Sequence, residues 1–330
     1  MNTLGYRPDQ KITDVIGRGG FTLSAEVIPP RNGTDEAKAL DQIQKLIGCG
    51  AEFLSVTKGA GGSLRGGSLP IAHAIKDRFG VPCIAHFTCR DITPEEVENQ
   101  LMDHHYFGIR NILGLRGDPP QGQAEWVARE GSYNYAYQLI DQIRRLNDGK
   151  YLERKGGGPA PENDPVKTDF CIGAACYPEH SDPKERIEFF KLKIDHGAEY
   201  GITQMIFDPD AYSDFLDKSA RVGVSVPILP GTRVLKTKDQ AIRMGERFGI
   251  SIPKDYLTSL KEKDHPDSMR YALDAFYDFA EKMRAAGAPG MHLYVIADTE
   301  GSCAVLRHFG KDRTGSKAQR AESHEAQTGV

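Results

Sequence analysis

The chain has 330 residues, enough for one large domain or two smaller ones with a substantial core. Its net charge of -4 and pI near 6.2 leave no basic stripe for nucleic acid, although a local basic pocket for an acidic ligand stays open. No apolar run reaches the length of a membrane span and Met1 to Gln10 lacks a signal-peptide layout, so a cytoplasmic protein is expected.

The first strand is predicted over Thr22–Ile28, and it holds the residue most in need of explanation. Alternation puts Leu23, Ala25 and Val27 on one face and Thr22, Ser24 and Glu26 on the other, and Pro29-Pro30 ends the pairing. A carboxyl at the end of a buried strand has a desolvated charged form, which raises its pKa and suits it to proton donation. On this segment alone, a solvated or ion-paired Glu at a strand exit is the better account.

Further strands are expected near Glu52–Val56, Pro82–Phe87, Ile109–Leu115, Asp169–Ala175, Tyr200–Phe207, Val226–Leu229 and Gly290–Val295. Helical patterns separate them. Asp35–Ile47 presents Ala39, Leu40, Ile43 and Ile47 on one side, and Pro94–His104 opens with Thr93 as N-cap and Glu96 three residues on. Eight β/α units predict a (β/α)8 TIM-type barrel of α/β class, with functional residues at the C-terminal strand ends. An open doubly wound sheet is the runner-up, but no GxGxxG turn follows the first strand. A surface excursion is expected within 147–167 and a mobile tail over 311–330. No internal repeat is visible, so residues 20–310 are expected to form one domain behind an N-terminal extension of 1–19. The six cysteines show no CxxC pair and no zinc-ligand spacing, so they read as buried thiols and no metal is expected.

Polar residues collect where such a barrel places its site. Ser55-Val56-Thr57-Lys58-Gly59-Ala60-Gly61-Gly62 follows the second strand, and its glycines bring backbone N–H groups close to a ligand. His86-Phe87-Thr88-Cys89-Arg90 ends the third strand, where a lone His is more often a hydrogen-bonded structural residue than a catalyst. Leu115-Arg116-Gly117-Asp118 ends the fourth strand before two prolines, and an Asp turn accounts for it as well. Tyr177-Pro178-Glu179 follows the fifth, and Thr203-Gln204 lies in the sixth, where a Gln facing inward needs hydrogen-bond partners.

In this order, these segments resemble the methylenetetrahydrofolate reductase family from roughly Gly20 to Leu306. The resemblance rests on Ser24-Ala25-Glu26-Val27-Ile28-Pro29-Pro30, Ser55-Val56-Thr57, His86-Phe87-Thr88-Cys89, Leu115-Arg116-Gly117-Asp118, Ala175-Cys176-Tyr177-Pro178-Glu179, Ile202-Thr203-Gln204-Met205-Ile206-Phe207-Asp208 and His292-Leu293-Tyr294. It implies a barrel carrying a flavin, FAD in most members, that NADH or NADPH reduces before 5,10-methylenetetrahydrofolate is converted to 5-methyltetrahydrofolate, a reaction of one-carbon metabolism and methionine biosynthesis. Glu26 matches the general acid for ring opening, and Asp118 the group that bonds the pterin and stabilises the iminium. By the same resemblance Gln204, Gln240, Met244 and Tyr294 are substrate contacts. Thr57, His86, Arg116, Gly117, Asp118, Tyr135, Ala136, Tyr177 and Lys193 are flavin contacts.

The chain departs from the family at several positions. Arg186, Phe189 and Leu192 stand on a helix that usually carries polar flavin contacts, so FMN or no flavin at all is an alternative. Lys58 stands where an aromatic is usual, Met244 replaces a stacking aromatic, and Ala297-Asp298 replaces an Asn-Arg pair. Two other function classes stay open: a pterin-binding or electron-relay subunit that needs a partner protein, and a methyltransferase acting on methyltetrahydrofolate. A homo-oligomer is compatible with each.

Overall fold

The computed structural model describes residues 4–30, 33–62, 66–119, 128–153, 164–296 and 298–310. Eight parallel strands close into a barrel in sequence order. They are β1 (Thr22–Val27), β2 (Phe53–Val56), β3 (Cys83–Thr88), β4 (Asn111–Leu115), β5 (Cys171–Cys176), β6 (Tyr200–Met205), β7 (Ile228–Thr232) and β8 (Gly290–Tyr294). Each expected strand is present, with ends displaced by up to three residues. The largest change is at β7, which begins at Ile228 and runs on through Pro230 and Gly231 to Thr232. The expected tail and most of the expected excursion fall outside the described residues.

The helices are α1 (Ile12–Ile16), α2 (Glu36–Gly48), α3 (Ser68–Phe79), α4 (Pro94–Tyr106), α5 (Ala136–Asn147), α6 (Phe189–Asp195), α7 (Pro209–Arg221), α8 (Lys238–Phe248), α9 (Lys254–Ser259), α10 (Ser268–Ala285) and α11 over 299–310. Local chemistry sets their starts. Thr93 and Glu96 form a reciprocal capping box at α4, with Glu96 Oε2 accepting from Thr93 N at 2.7 Å. Asp208 caps α7 by accepting from Asp210 N at 2.9 Å, with Pro209 at the first helical position.

Two apolar cores result. The larger lies between barrel and helices, where Leu23, Ala25 and Val27 of β1 meet Ile43 and Leu46 of α2. Ala39 is only partly covered, because the buried stripe of α2 runs through Ile43 and Leu46. The smaller core fills the lower barrel, where Phe53, Ile84, Leu113, Tyr200 and Leu229 pack with Ile12, Val15 and Ile16 of α1. Helix α1, in the segment read as an extension, thus plugs the barrel floor. Asn111 ties it in place by accepting from Ile12 N at 2.9 Å. With the floor closed, open space remains at the C-terminal strand ends.

Candidate active site

A cavity of about 340 Å³ opens at those strand ends. Glu26 enters it from the second-last residue of β1, in register with Ser55 on β2 and Tyr294 on β8. Its Oε2 lies 3.4 Å from His86 Nε2 and 4.0 Å from His292 Nε2. Burial lifts the Glu26 carboxyl from its ordinary 4.5 to about 8, opposed only in part by a hydrogen bond with Ser55. Burial likewise lowers His86 to about 4, and burial with the neighbouring His86 lowers His292 to about 3. At neutral pH the Glu keeps its proton and both imidazoles are uncharged.

Below Glu26, His292 is held by two hydroxyls. Ser24 Oγ is 2.8 Å from its Nδ1 and Ser55 Oγ 3.1 Å from its Nε2, and the ring stacks on Phe53. These contacts fix the imidazole beneath the acid. His86 Nε2 is buried and, among the described residues, has no hydrogen-bond partner.

The opposite wall comes from β6 and β7. Their register runs Ile202↔Leu229 and then Met205↔Gly231, so one extra residue bulges from β6. A regular strand sends adjacent residues to opposite faces; the bulge lets both Thr203 and Gln204 line the cavity. Thr203 Oγ1 accepts from Gly231 N at 2.9 Å, and Tyr294 donates its hydroxyl to the Thr203 carbonyl at 2.6 Å. Gly231 makes this possible, because a Cβ there would stand 2.5 Å from the Tyr294 ring and 2.4 Å from the Thr203 oxygen.

Eight of the residues singled out from sequence meet at this cavity: Glu26, Thr57, His86, Arg116, Gly117, Asp118, Tyr177 and Gln204, with Tyr294 as a ninth. Asp118 Oδ2 accepts from Gly61 N at 2.7 Å, so the glycine-rich turn after β2 positions this carboxylate. Gln204 Oε1 accepts from Met205 N at 2.9 Å.

The other predicted residues lie elsewhere. Gln240 is turned to its own chain, accepting from Lys236 N at 2.7 Å before α8, and Met244 packs against the outer core. Lys193 donates to the Ala175 carbonyl at 2.9 Å behind β5. Ala136 is buried at the start of α5, and Tyr135 is 40% exposed, stacked on Phe189 at 5.2 Å. Phe189 also stacks on Tyr137. Sequence reasoning did not assign a role to His292, Ser24, Thr203 or Lys58. The alternation that placed Glu26 inward also places Ser24 inward, and that was the available signal. The six cysteines are free and buried, as expected.

Comparison with known proteins gives a consistent picture. The family model described as methylenetetrahydrofolate reductase matches residues 11–310. Methylenetetrahydrofolate reductase 1 of Schizosaccharomyces pombe is 31% identical over 297 residues, covering 88% of this chain and 46% of that protein. The 5,10-methylenetetrahydrofolate reductase of Escherichia coli K12 is 28% identical over 308 residues, covering 92% of this chain and 94% of that protein. The chain spans about half the length of the plant and fission-yeast relatives it matches, and nearly all of the bacterial one. Among solved structures, an uncharacterized protein from Clostridium thermocellum that binds two copies of 5-methyl-5,6,7,8-tetrahydrofolic acid is similar in fold, with a TM-score of 0.55 and 16% identity over 90% of this chain and 98% of that one.

Proposed function

The chain belongs to the methylenetetrahydrofolate reductase family, and from that premise we propose that it reduces 5,10-methylenetetrahydrofolate to 5-methyltetrahydrofolate with NADH or NADPH as hydride source. The observation that carries this reading is the Glu26 carboxyl, which opens into a ligand-sized cavity and holds its proton up to about pH 8. Opening the five-membered ring of the folate to an iminium requires a proton on the departing nitrogen, and Glu26 supplies it. General acid catalysis of this kind contributes roughly 10²–10⁴-fold. The groups flanking Glu26 are two neutral imidazoles, so no full positive charge holds the resulting carboxylate ionised and it regains a proton readily. Asp118, also on the cavity wall, offsets the positive charge of the iminium. Gln204 and Tyr294 border the space for the pterin.

The lining also fits a flavin ring. Thr57, His86, Arg116, Gly117, Asp118 and Tyr177 surround the cavity, and His86 Nε2, near Glu26 but without a hydrogen-bond partner among the described residues, offers it a hydrogen bond. The chemistry a flavin supplies when bound is two-electron transfer between the nicotinamide and the folate. A volume of about 340 Å³ lies near the lower end of small-molecule sites, roughly 300–1,000 Å³, and suits a single ring system.

One observation favours a second reading, direct hydride transfer without flavin. Two of the expected flavin contacts are already engaged within the protein, Tyr135 by Phe189 and Lys193 by the Ala175 carbonyl. An absorbance spectrum of the purified protein, with mass spectrometry of any released cofactor, separates the two. A yellow sample that bleaches with NADH or NADPH and recovers colour with methylenetetrahydrofolate supports the first reading, and a colourless sample that oxidises the nicotinamide against the folate supports the second. Absence of folate reduction with either nicotinamide overturns the proposal, and activity that returns only with a co-purifying protein assigns the chain as a subunit.

A further inference from the structure

Glu26 Oε2 and His292 Nε2 are 4.0 Å apart, too far for a hydrogen bond, and Ser55 links the two groups. Its hydroxyl bonds the Glu26 carboxyl and lies 3.1 Å from His292 Nε2. Ser24 Oγ meets the other ring nitrogen, Nδ1, at 2.8 Å. Ser24, Ser55 and His292 are all fully buried, so their polar atoms depend on one another. A neutral imidazole has one N–H and one lone pair, so the contacts at its two nitrogens cannot be set independently.

The distances give the direction. A span of 3.1 Å suits an N–H donor and is long for a hydroxyl, which puts the ring hydrogen on Nε2, donating to Ser55. Nδ1 is then an acceptor. Ser24 donates to it at 2.8 Å in preference to the Met291 carbonyl at 3.2 Å, beyond the usual reach of a hydroxyl donor. With its oxygen occupied by the ring, Ser55 turns its one hydrogen to Glu26. We propose that Ser24, His292 and Ser55 form a one-way donor chain that ends on Glu26 and stabilises the carboxylate left when the acid gives up its proton. No proton travels along the chain; each hydrogen stays on its own atom, and the bonds strengthen in series as charge appears on Glu26. Ser24 and His292 are thus positioning residues that act through Ser55. The other titratable groups facing Glu26 are His86 from β3 and Tyr294 from β8, with Lys58, Arg116, Asp118 and Tyr177 across the cavity, and the Ser24 variants below replace none of them. The chain deepens the proposed function and rests on it for the identity of the proton acceptor, but not for the direction of the hydrogen bonds.

Nitrogen NMR of the histidine-labelled wild-type chain reads the tautomer without reference to turnover. The ring signals missing from His292→Gln should show Nε2 protonated and Nδ1 bare at neutral pH, and a ring protonated on Nδ1 overturns the chain. If His292→Gln does not fold, the ring whose signals move most in both Ser24→Ala and Ser55→Ala identifies it. Carbon NMR of glutamate-labelled protein, with Glu26 identified by Glu26→Gln, tests what the chain does. Ser24→Ala should move the Glu26 midpoint upward from about 8 by about half a unit to one unit, a roughly three- to tenfold gain in proton affinity. Ser24→Thr, which keeps the hydroxyl, should return it to the wild-type value. A midpoint that stays or falls in folded Ser24→Ala overturns the chain, even where folate reduction slows, because slowing alone is what a purely structural Ser24 would give. Failure of the folate reading shows separately, as a wild-type chain with the expected tautomer and titration but no nicotinamide-dependent folate reduction.

Discussion

Replacing Glu26 by Gln should make the folded chain more stable above neutral pH while removing its acid. The folded carboxyl titrates at about 8 and the unfolded one near its ordinary 4.5, so the unfolded chain releases a proton that the folded chain retains. Because folding raises this pKa, its stabilising effect is complete below the unfolded value, is lost progressively as pH climbs from 4.5 to 8, and then levels off. Each pH unit in that window costs about 1.4 kcal/mol. At pH 7 the wild-type chain has therefore lost about 3 kcal/mol relative to a chain with no proton to release, an upper figure because the Glu26 side chain keeps 15% exposure. The Gln amide preserves the shape and still meets Ser55. Other displaced groups, Asp9 at about 7 and His86 and His292 at about 4 and 3, are common to both proteins and drop out of the difference to first order. Urea unfolding of both proteins at pH 5, 7 and 8.5 measures the effect. The gap should widen in favour of Glu26→Gln by about 2–3 kcal/mol between pH 5 and 7. A gap that stays constant with pH would mean that Glu26 ionises normally in the folded chain, and the case for it as an acid would go with it.

The catalytic counterpart is a pH profile. Single-turnover reduction of methylenetetrahydrofolate should fall as pH rises through about 8, the value at which Glu26 loses its proton, and Glu26→Gln should lower it roughly 10²–10⁴-fold while leaving nicotinamide binding intact; a wild-type rate in the variant removes Glu26 from the mechanism. Gly231→Ala forces a methyl against the Tyr294 ring and the Thr203 carbonyl, so it should cost about 1–3 kcal/mol in urea unfolding and weaken folate binding, and a variant neutral in both would show that β6 and β8 yield freely there. Ile12→Ala opens a void in the barrel floor at a fully buried position, for a loss of about 2–4 kcal/mol by the same assay. A loss below about 1 kcal/mol would mean that α1 is not part of the cooperative unit.

The architecture was legible because its determinants are local. Alternation along Thr22–Val27 and the capping box at Thr93 and Glu96 each declare an element within a few residues. Helix α1 escaped notice because five residues carry too little periodicity to be read. At the site, Glu26, Asp118 and Gln204 could be singled out because each is a polar residue at the end of an apolar strand.

Their company could not. Ser24 meets His292 across 268 positions of sequence, and only the closing of β1 onto β8 makes them neighbours. Residue order alone carried the family resemblance and the eight-unit barrel, since strand and helix periods act over short distances. The closed barrel decided the rest: a bulge in β6 turned Thr203 and Gln204 to one cavity, and Gly231 gave Tyr294 its space. It left Gln240 and Met244 outside the cavity lining and turned the Lys58 ammonium onto the Phe87 ring and Gln100 of α4. Those outcomes depend on inter-strand register and on desolvation by distant segments, which no local pattern encodes.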